Sequence, residues 1–229
     1  MSHKRFVIAI DGPAGAGKST VAMLVAKALG FLYVDTGAMY RALTLKAIQL
    51  KLDLNDRNAL IDMSRNTRIE LIQNENHYRV FLDGLEVTKA IRSELVSKNS
   101  HFIASIPEVR EILWSIQRSY REKYDIVMEG RDIGTIVFPD AQLKIYLDAS
   151  VEERAKRRYL QLKQQGIETN IEDLKKEIIL RDERDKNRNI APLRKHPDAI
   201  TIDTTYLTIE QEVSMIVHLY KQTTEKNKK

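Results

Sequence analysis

Residues 12–19 read Gly-Pro-Ala-Gly-Ala-Gly-Lys-Ser, which satisfies G-x-x-x-x-G-K-[ST] in full. The motif sits between an apolar run, Phe6 to Ile10, and an apolar-periodic stretch, Thr20 to Leu29. That is the strand, glycine loop and helix context a phosphate-binding loop requires. Glycines let successive backbone N–H groups turn inward around phosphate oxygens, and the helix that follows aims its positive dipole end at the same point. Gly12, Pro13, Ala14, Gly15, Ala16, Gly17, Lys18, Ser19 and Thr20 are therefore expected to cradle a nucleoside triphosphate. Lys18 would reach the terminal phosphates and the Ser19 hydroxyl would ligate Mg2+.

Four more short apolar runs follow: Phe31–Val34, Asp125–Glu129, Leu143–Asp148 and Ala199–Asp203. They read as buried parallel strands separated by helices. The expected fold is α/β, a doubly wound five-stranded parallel sheet with its ligands beyond the carboxyl ends of the strands. Ser150-Val151-Glu152-Glu153 reads as a capping box opening a helix toward Gln165, with Gly166 just past its end, and Thr208-Ile209-Glu210-Gln211 as a second box. Between Arg68 and Thr88 the chain alternates in period two, with Gln73-Asn74-Glu75-Asn76 and Asp83-Gly84 as turns, so a small antiparallel meander is inserted in the core. Val151 to Leu193 is strongly charged and reads as a mobile flap. The polar tail Thr223 to Lys229 is expected to fray.

A chain of 229 residues accommodates one such core with insertions, and its net charge of +5 suits an anionic substrate. It contains no cysteine, so disulfides and thiolate metal sites are excluded. No apolar run approaches the ~20 residues of a membrane span, and Met1-Ser2-His3-Lys4-Arg5 leads into a strand without a small-residue cleavage site. A cytoplasmic protein with no membrane partner is expected.

Charged residues at the strand ends narrow the purpose of the loop. Asp35-Thr36-Gly37-Ala38-Met39-Tyr40-Arg41 leaves the second strand, turns at Gly37 and enters a helix, and Glu129-Gly130-Arg131-Asp132-Ile133-Gly134 does something similar after the third. Arg41 and Arg131 either pair with Asp35 and Asp132 or face a ligand. Asp11 either anchors the loop backbone or approaches the metal. In the flap, Arg181, Asp185 and Arg188 are spaced to share one helix face, and Arg184 with Arg188 would repel unless an anion or carboxylate lies among them. The upstream helix carries Arg154, Arg157 and Arg158. Glu153 with Arg157 and Glu152 with Lys156 also fit ordinary i, i+4 pairs.

The segments Asp11–Thr20, Asp35–Ala42, Gly130–Ala141 and Arg181–Arg188 together resemble, in order, the motifs of the bacterial cytidylate kinases, nucleoside monophosphate kinases of adenylate-kinase-like fold. The resemblance implies transfer of the γ-phosphoryl of ATP to CMP or dCMP with Mg2+. It places Arg41, Arg131 and Arg188 on the acceptor phosphate, and Thr36, Arg110 and Asp132 on the cytosine. Arg181 and Asp185 would contact the ribose. His101 stands where a base-contacting serine is usual; otherwise it is a partly exposed helix histidine. Lys18, Arg131, Arg188 and Arg158 are the implied catalytic groups, Arg157 contacts the donor, and Glu129 joins Ser19 at the metal. The implied parts are a core (1–37, 123–150, 194–229), a monophosphate-binding domain (38–122, insertion near 67–90) and a lid with acceptor-contacting helix (151–193). Small nucleotides are the implied partners of a monomer.

Other classes fit less well. A regulatory GTPase would need N-K-x-D and a D-x-x-G switch, and neither occurs in place. An ATP-dependent nucleic-acid-binding protein would cluster its basic residues with aromatics, whereas here they are spread among acids. A kinase for UMP or for an alcohol remains open, with Asp132 as base in the latter case.

Overall fold

The computed structural model describes residues 5–74, 77–164 and 166–226. Numbered along the chain, β1 (Val7–Asp11), β2 (Leu32–Asp35), β6 (Ile126–Gly130), β7 (Leu143–Asp148) and β8 (Ile200–Asp203) form a parallel sheet in the order β2-β6-β1-β7-β8. The intervening β3 (Ile69–Asn74), β4 (His77–Leu82) and β5 (Leu85–Glu86) form a separate antiparallel sheet. Four of the five expected strands begin one residue late, and β7 begins where expected. The cause is visible at β1, where the Phe6 N–H is taken by the Asp125 side chain at 2.7 Å, which leaves Val7 as the first ladder residue.

Every residue of β1 and β6 is buried, as a strand covered on both faces must be. On one face Ile8, Ile10 and Ile145 pack with Val21 and Val25 of α1 (Lys18–Leu29) and Ile216 of α8 (Ile209–Lys226). On the other, Val7, Ala9 and Met128 meet Met39 and Leu43 of α2 (Thr36–Gln49) and Leu113 of α5 (Pro107–Lys123). The same core continues through α3 (Arg57–Arg65) and α4 (Glu94–Ala104) into the inner face of the antiparallel sheet. That sheet also closes the edge of the parallel one: Gln73 Oε1 accepts from Tyr33 N at 2.7 Å, and the Tyr33 and Tyr78 rings lie 4.9 Å apart.

Local chemistry sets the ends of elements. Asp83 (φ 50°) and Gly84 (φ 84°) make the two-residue hairpin between β4 and β5 with both φ positive, as the Asp-Gly pair predicts. The turn expected at 73–76 falls partly on residues 75–76, outside the described residues. Thr208 and Gln211 cap α8 reciprocally, side chain to backbone in each direction. At α6 (Val151–Gln164) only half of the expected box forms. Ser150 Oγ accepts from Glu153 N, but Ser150 N donates to Thr205 Oγ1, because the Glu153 carboxylate is engaged by Arg157. Gln165 lies outside the described residues; Gly166, at φ 74°, turns the chain toward α7 (Ile171–Asn187). Helix α8 runs on through Lys226, so the tail is helical where it was expected to fray, and 227–229 lie outside the described residues. Among the described residues no helix is long and apolar enough to cross a membrane.

Candidate active site

The glycine loop joins β1 to α1 at the carboxyl edge of the parallel sheet. Gly12 is required there by space, since a Cβ would stand 1.9 Å from the Leu147 carbonyl oxygen of β7. Gly17, in left-handed backbone at φ 86°, is the residue from which α1 starts without any side-chain cap. The first-turn N–H groups of α1 are thereby left for a ligand. Lys18 is 5% exposed, and its ammonium donates to the Pro13 carbonyl at 2.7 Å across the loop. Burial and the nearby Arg131 charge bring its pKa down to about 7.

Glu129, at the end of β6, accepts from Ser19 Oγ at 2.5 Å. Burial and the Asp35 charge push its carboxyl up, while Lys18 and the Ser19 bond pull it back. Asp35 caps α2 by accepting from Ala38 N, worth about 1 kcal/mol, and holds Arg41 at 3.0 Å. Helix α2 starts at Thr36, so Gly37 lies inside its first turn and is not a hinge before it. A Cβ at Gly37 would meet Arg41 Nη1 at 3.0 Å and Asp35 Oδ1 at 3.2 Å; glycine leaves room for the guanidinium to fold back. The Thr36 hydroxyl donates to the Glu129 carbonyl at 2.8 Å and ties β2 to β6.

Beyond β6 the chain forms a single π turn, Ile133–Val137. Asp11 fixes that turn by accepting from Ile133 N and Gly134 N at 2.8 and 2.7 Å, so its carboxylate is bonded to that turn and not to the backbone of the glycine loop. Burial lifts its pKa to about 7 in spite of those two bonds. Arg131 pairs with Asp185 of α7 at 2.9 Å rather than with the adjacent Asp132. Asp132 belongs to another network, accepting from Arg110 Nη1 at 3.0 Å and from the Trp114 indole at 2.9 Å. Arg110, 1% exposed, also bonds the Ala104 carbonyl and the Tyr40 hydroxyl. Sequence reasoning gave Trp114 no role; the usable signal was its place one helical turn beyond Arg110.

Helix α7 ends at Asn187. Arg188 is in extended backbone and leaves the face shared by Arg181 and Asp185, because its Nε turns to the Ala191 carbonyl at 2.6 Å. Burial and the Arg110 charge lower its pKa to about 10, and its Nη2 is buried without a hydrogen-bond partner. Arg41 Nε is in the same condition. Arg181 also comes down to about 10 through desolvation and the facing Arg131 charge. Despite burial, Arg131 and Arg181 hold the Asp185 carboxyl below the usual range. Arg184 stands on the exposed side of α7.

On the other flank, Arg157 bonds Glu153 at 3.0 Å, Thr204 Oγ1 at 3.1 Å and the Thr204 carbonyl at 2.7 Å. Arg158 Nη1 donates to Gln161 Oε1, one turn ahead, at 2.9 Å. Lys156 leans to Glu153 at 4.0 Å instead of Glu152. Arg154 is buried beneath the loop, bonded to Asp182 and to the Ala14 carbonyl, and is not a free phosphate ligand. His101 is exposed on α4, its Nδ1 on the Lys98 carbonyl at 2.8 Å, and is not drawn into the Arg110–Asp132 network.

The sequence profile of the cytidylate kinase family matches residues 8–222. A cytidylate kinase of Geobacillus sp. (strain WCH70) is 52% identical over 215 residues, 94% of this chain and 96% of that protein. One from Alkaliphilus oremlandii is 51% identical over 214 residues, 93% and 97% of the two chains. Among solved structures, an uncharacterized protein from Eubacterium ventriosum is similar over 96% of this chain and 99% of that one, with 15% identity and a TM-score of 0.51, a likeness of fold.

Proposed function

Since the chain belongs to the cytidylate kinase family, we propose that it moves the γ-phosphoryl of ATP to CMP or dCMP, giving the diphosphate. The donor triphosphate lies in the 12–19 loop against Lys18, with Thr20 behind it and Arg157 beside the nucleoside. Ser19 and Glu129, adjoining oxygen donors at the loop, fit a hard cation, and they would hold Mg2+. Magnesium bound there supplies neutralisation of phosphate charge.

The acceptor phosphate is held by Arg41, Arg131 and Arg188. Support for this comes from the unpartnered buried nitrogens on Arg41 and Arg188, because a buried guanidinium N–H without an acceptor is costly and an anion would relieve it. Thr36, Arg110 and Asp132 read the cytosine, and Arg181 and Asp185 the ribose. His101 is exposed on α4 with its Nδ1 on the Lys98 carbonyl, so a contact with the base would require it to turn from that carbonyl. A phosphate monoester is largely dianionic near neutral pH, its second pKa being roughly 6, so its oxygen attacks without a general base. What the protein contributes is alignment of two polyanions and cancellation of their repulsion in a water-poor cleft. Asp132 is already committed to Arg110 and Trp114, which disfavours the alcohol-kinase reading that would use it as base.

In this reading 38–122 and 151–193 close over 1–37, 123–150 and 194–229, and closure brings Arg158 to the transferred group. We take the active form to be a cytoplasmic monomer whose partners are nucleotides. ADP release measured with CMP, dCMP, UMP, AMP, GMP and TMP, with and without Mg2+, tests the whole. CMP and dCMP should lead and Mg2+ should be required; no ADP release with any pyrimidine monophosphate would remove the proposal.

A further inference from the structure

Arg154 stands at a junction that the reaction as described does not use. Its Nε donates to the Ala149 carbonyl at 3.0 Å, its Nη1 to the Ala14 carbonyl of the glycine loop at 3.0 Å, and its Nη1 and Nη2 to the two oxygens of Asp182 at 3.1 and 2.7 Å. The loop also rests on the stem of this residue, since a Cβ at Gly15 would meet Arg154 Cβ at 3.2 Å. Asp182 is buried on α7, one position from Arg181 and one turn before Asp185, which binds Arg131 at 2.9 Å. A cavity of about 410 Å³ opens beside the pair, lined in part by Pro13, Asp148, Arg154, Asp182 and Lys186, so the pair spans a gap between loop and helix.

We propose that Arg154 and Asp182 are positioning residues that couple the donor loop to the acceptor-holding helix, so that occupation of either side strengthens binding on the other. The proposal rests on the assignment of donor and acceptor sites above. Its physical basis is a two-state element. With α7 seated, one guanidinium satisfies both the Asp182 carboxylate and the loop carbonyl. With α7 displaced, a buried cation and a carboxylate lose each other, and the bond that shapes the loop is held by an uncompensated charge. Loop geometry and helix position are therefore favoured together, and a ligand that needs one biases the other. Asp182 touches neither substrate in this arrangement and acts through α7.

The protein carries one tryptophan, and Trp114 lies on Asp132 in the acceptor pocket, so its fluorescence reports acceptor binding. CMP is titrated into the full chain with and without a non-hydrolysable Mg-ATP analogue, for the parent protein, Asp182→Asn and Arg154→Lys. The analogue should tighten CMP binding at least about fivefold in the parent. In both variants that ratio should fall to within about twofold of unity, with the affinity for CMP alone changed less than about threefold. A residue that only stabilises the fold would lower the melting temperature and leave the ratio intact, which would overturn the proposal. Should the variants fold poorly, hydrogen exchange on the parent decides: the analogue alone should slow exchange across 178–188, and unchanged exchange there overturns the coupling. Binding of both nucleotides with no coupling in the parent removes this proposal alone, whereas binding of neither removes it together with the functional assignment.

Discussion

The two sides of the cleft are built in opposite ways. The proposed donor side is eight consecutive residues that would hold phosphate by their backbone amides, and its lysine is parked on a carbonyl of the same loop. The proposed acceptor side draws on side chains from β2–α2, α5, the turn after β6 and α7, and in it Arg41 Nε and Arg188 Nη2 are buried without hydrogen-bond partners. A backbone cradle is complete once the local fold exists. A side-chain cage is complete only when elements far apart in sequence have been packed together.

That contrast can be broken by substitution. Lys18→Met should lower kcat by roughly 10²–10³ or more, as loss of a charge-stabilising donor does, while CMP affinity read from Trp114 moves less than about threefold. Arg188→Ala should lower kcat/KM for CMP by about 100-fold and leave the KM for ATP within about threefold. Equal losses for both substrates in either variant would show that the two sides are one cage.

A smaller effect concerns Glu212, buried near Gly17 with Oε2 unpartnered, whose pKa burial raises to about 7 against the pull of Arg157. The raised folded-state value means that its contribution to stability is present below about pH 4.5 and lost as pH rises through 7. Glu212→Gln should therefore stabilise the protein at pH 8 by about 1–3 kcal/mol and have little effect at pH 4.5. Urea unfolding at the two values measures this, and equal effects at both would reject it. The smallest effect belongs to Lys18 itself. With a pKa of about 7 it is largely neutral above that pH, and a polyphosphate must restore its proton. Donor affinity should fall a few-fold between pH 7 and 8, with proton uptake visible by calorimetry in buffers of different ionisation heat. No uptake at pH 8 would mean the loop lysine is already charged.

The same contrast explains what could be read in advance. The parallel strands, the meander and the glycine loop depend on residues near one another in the chain, so period and turn chemistry exposed them. Arg131 shows the limit: its neighbour Asp132 was the obvious partner, yet it binds Asp185, 54 positions away, because α7 folds across the turn after β6. Arg188 shows another. Its spacing from Arg181 suggested a shared helix face, but the helix stops one residue earlier. Asp11 shows a third, since the π turn whose N–H groups it accepts from has no signature in the sequence. The acceptor-side roles proposed for these residues come only through likeness to a family.

Gln73 has a consequence outside catalysis. Its amide oxygen occupies the outward N–H of Tyr33 on the outermost strand of the parallel sheet. An open strand margin is a template on which a second polypeptide can add in register. By placing one side chain from the inserted sheet there, the fold blunts that margin.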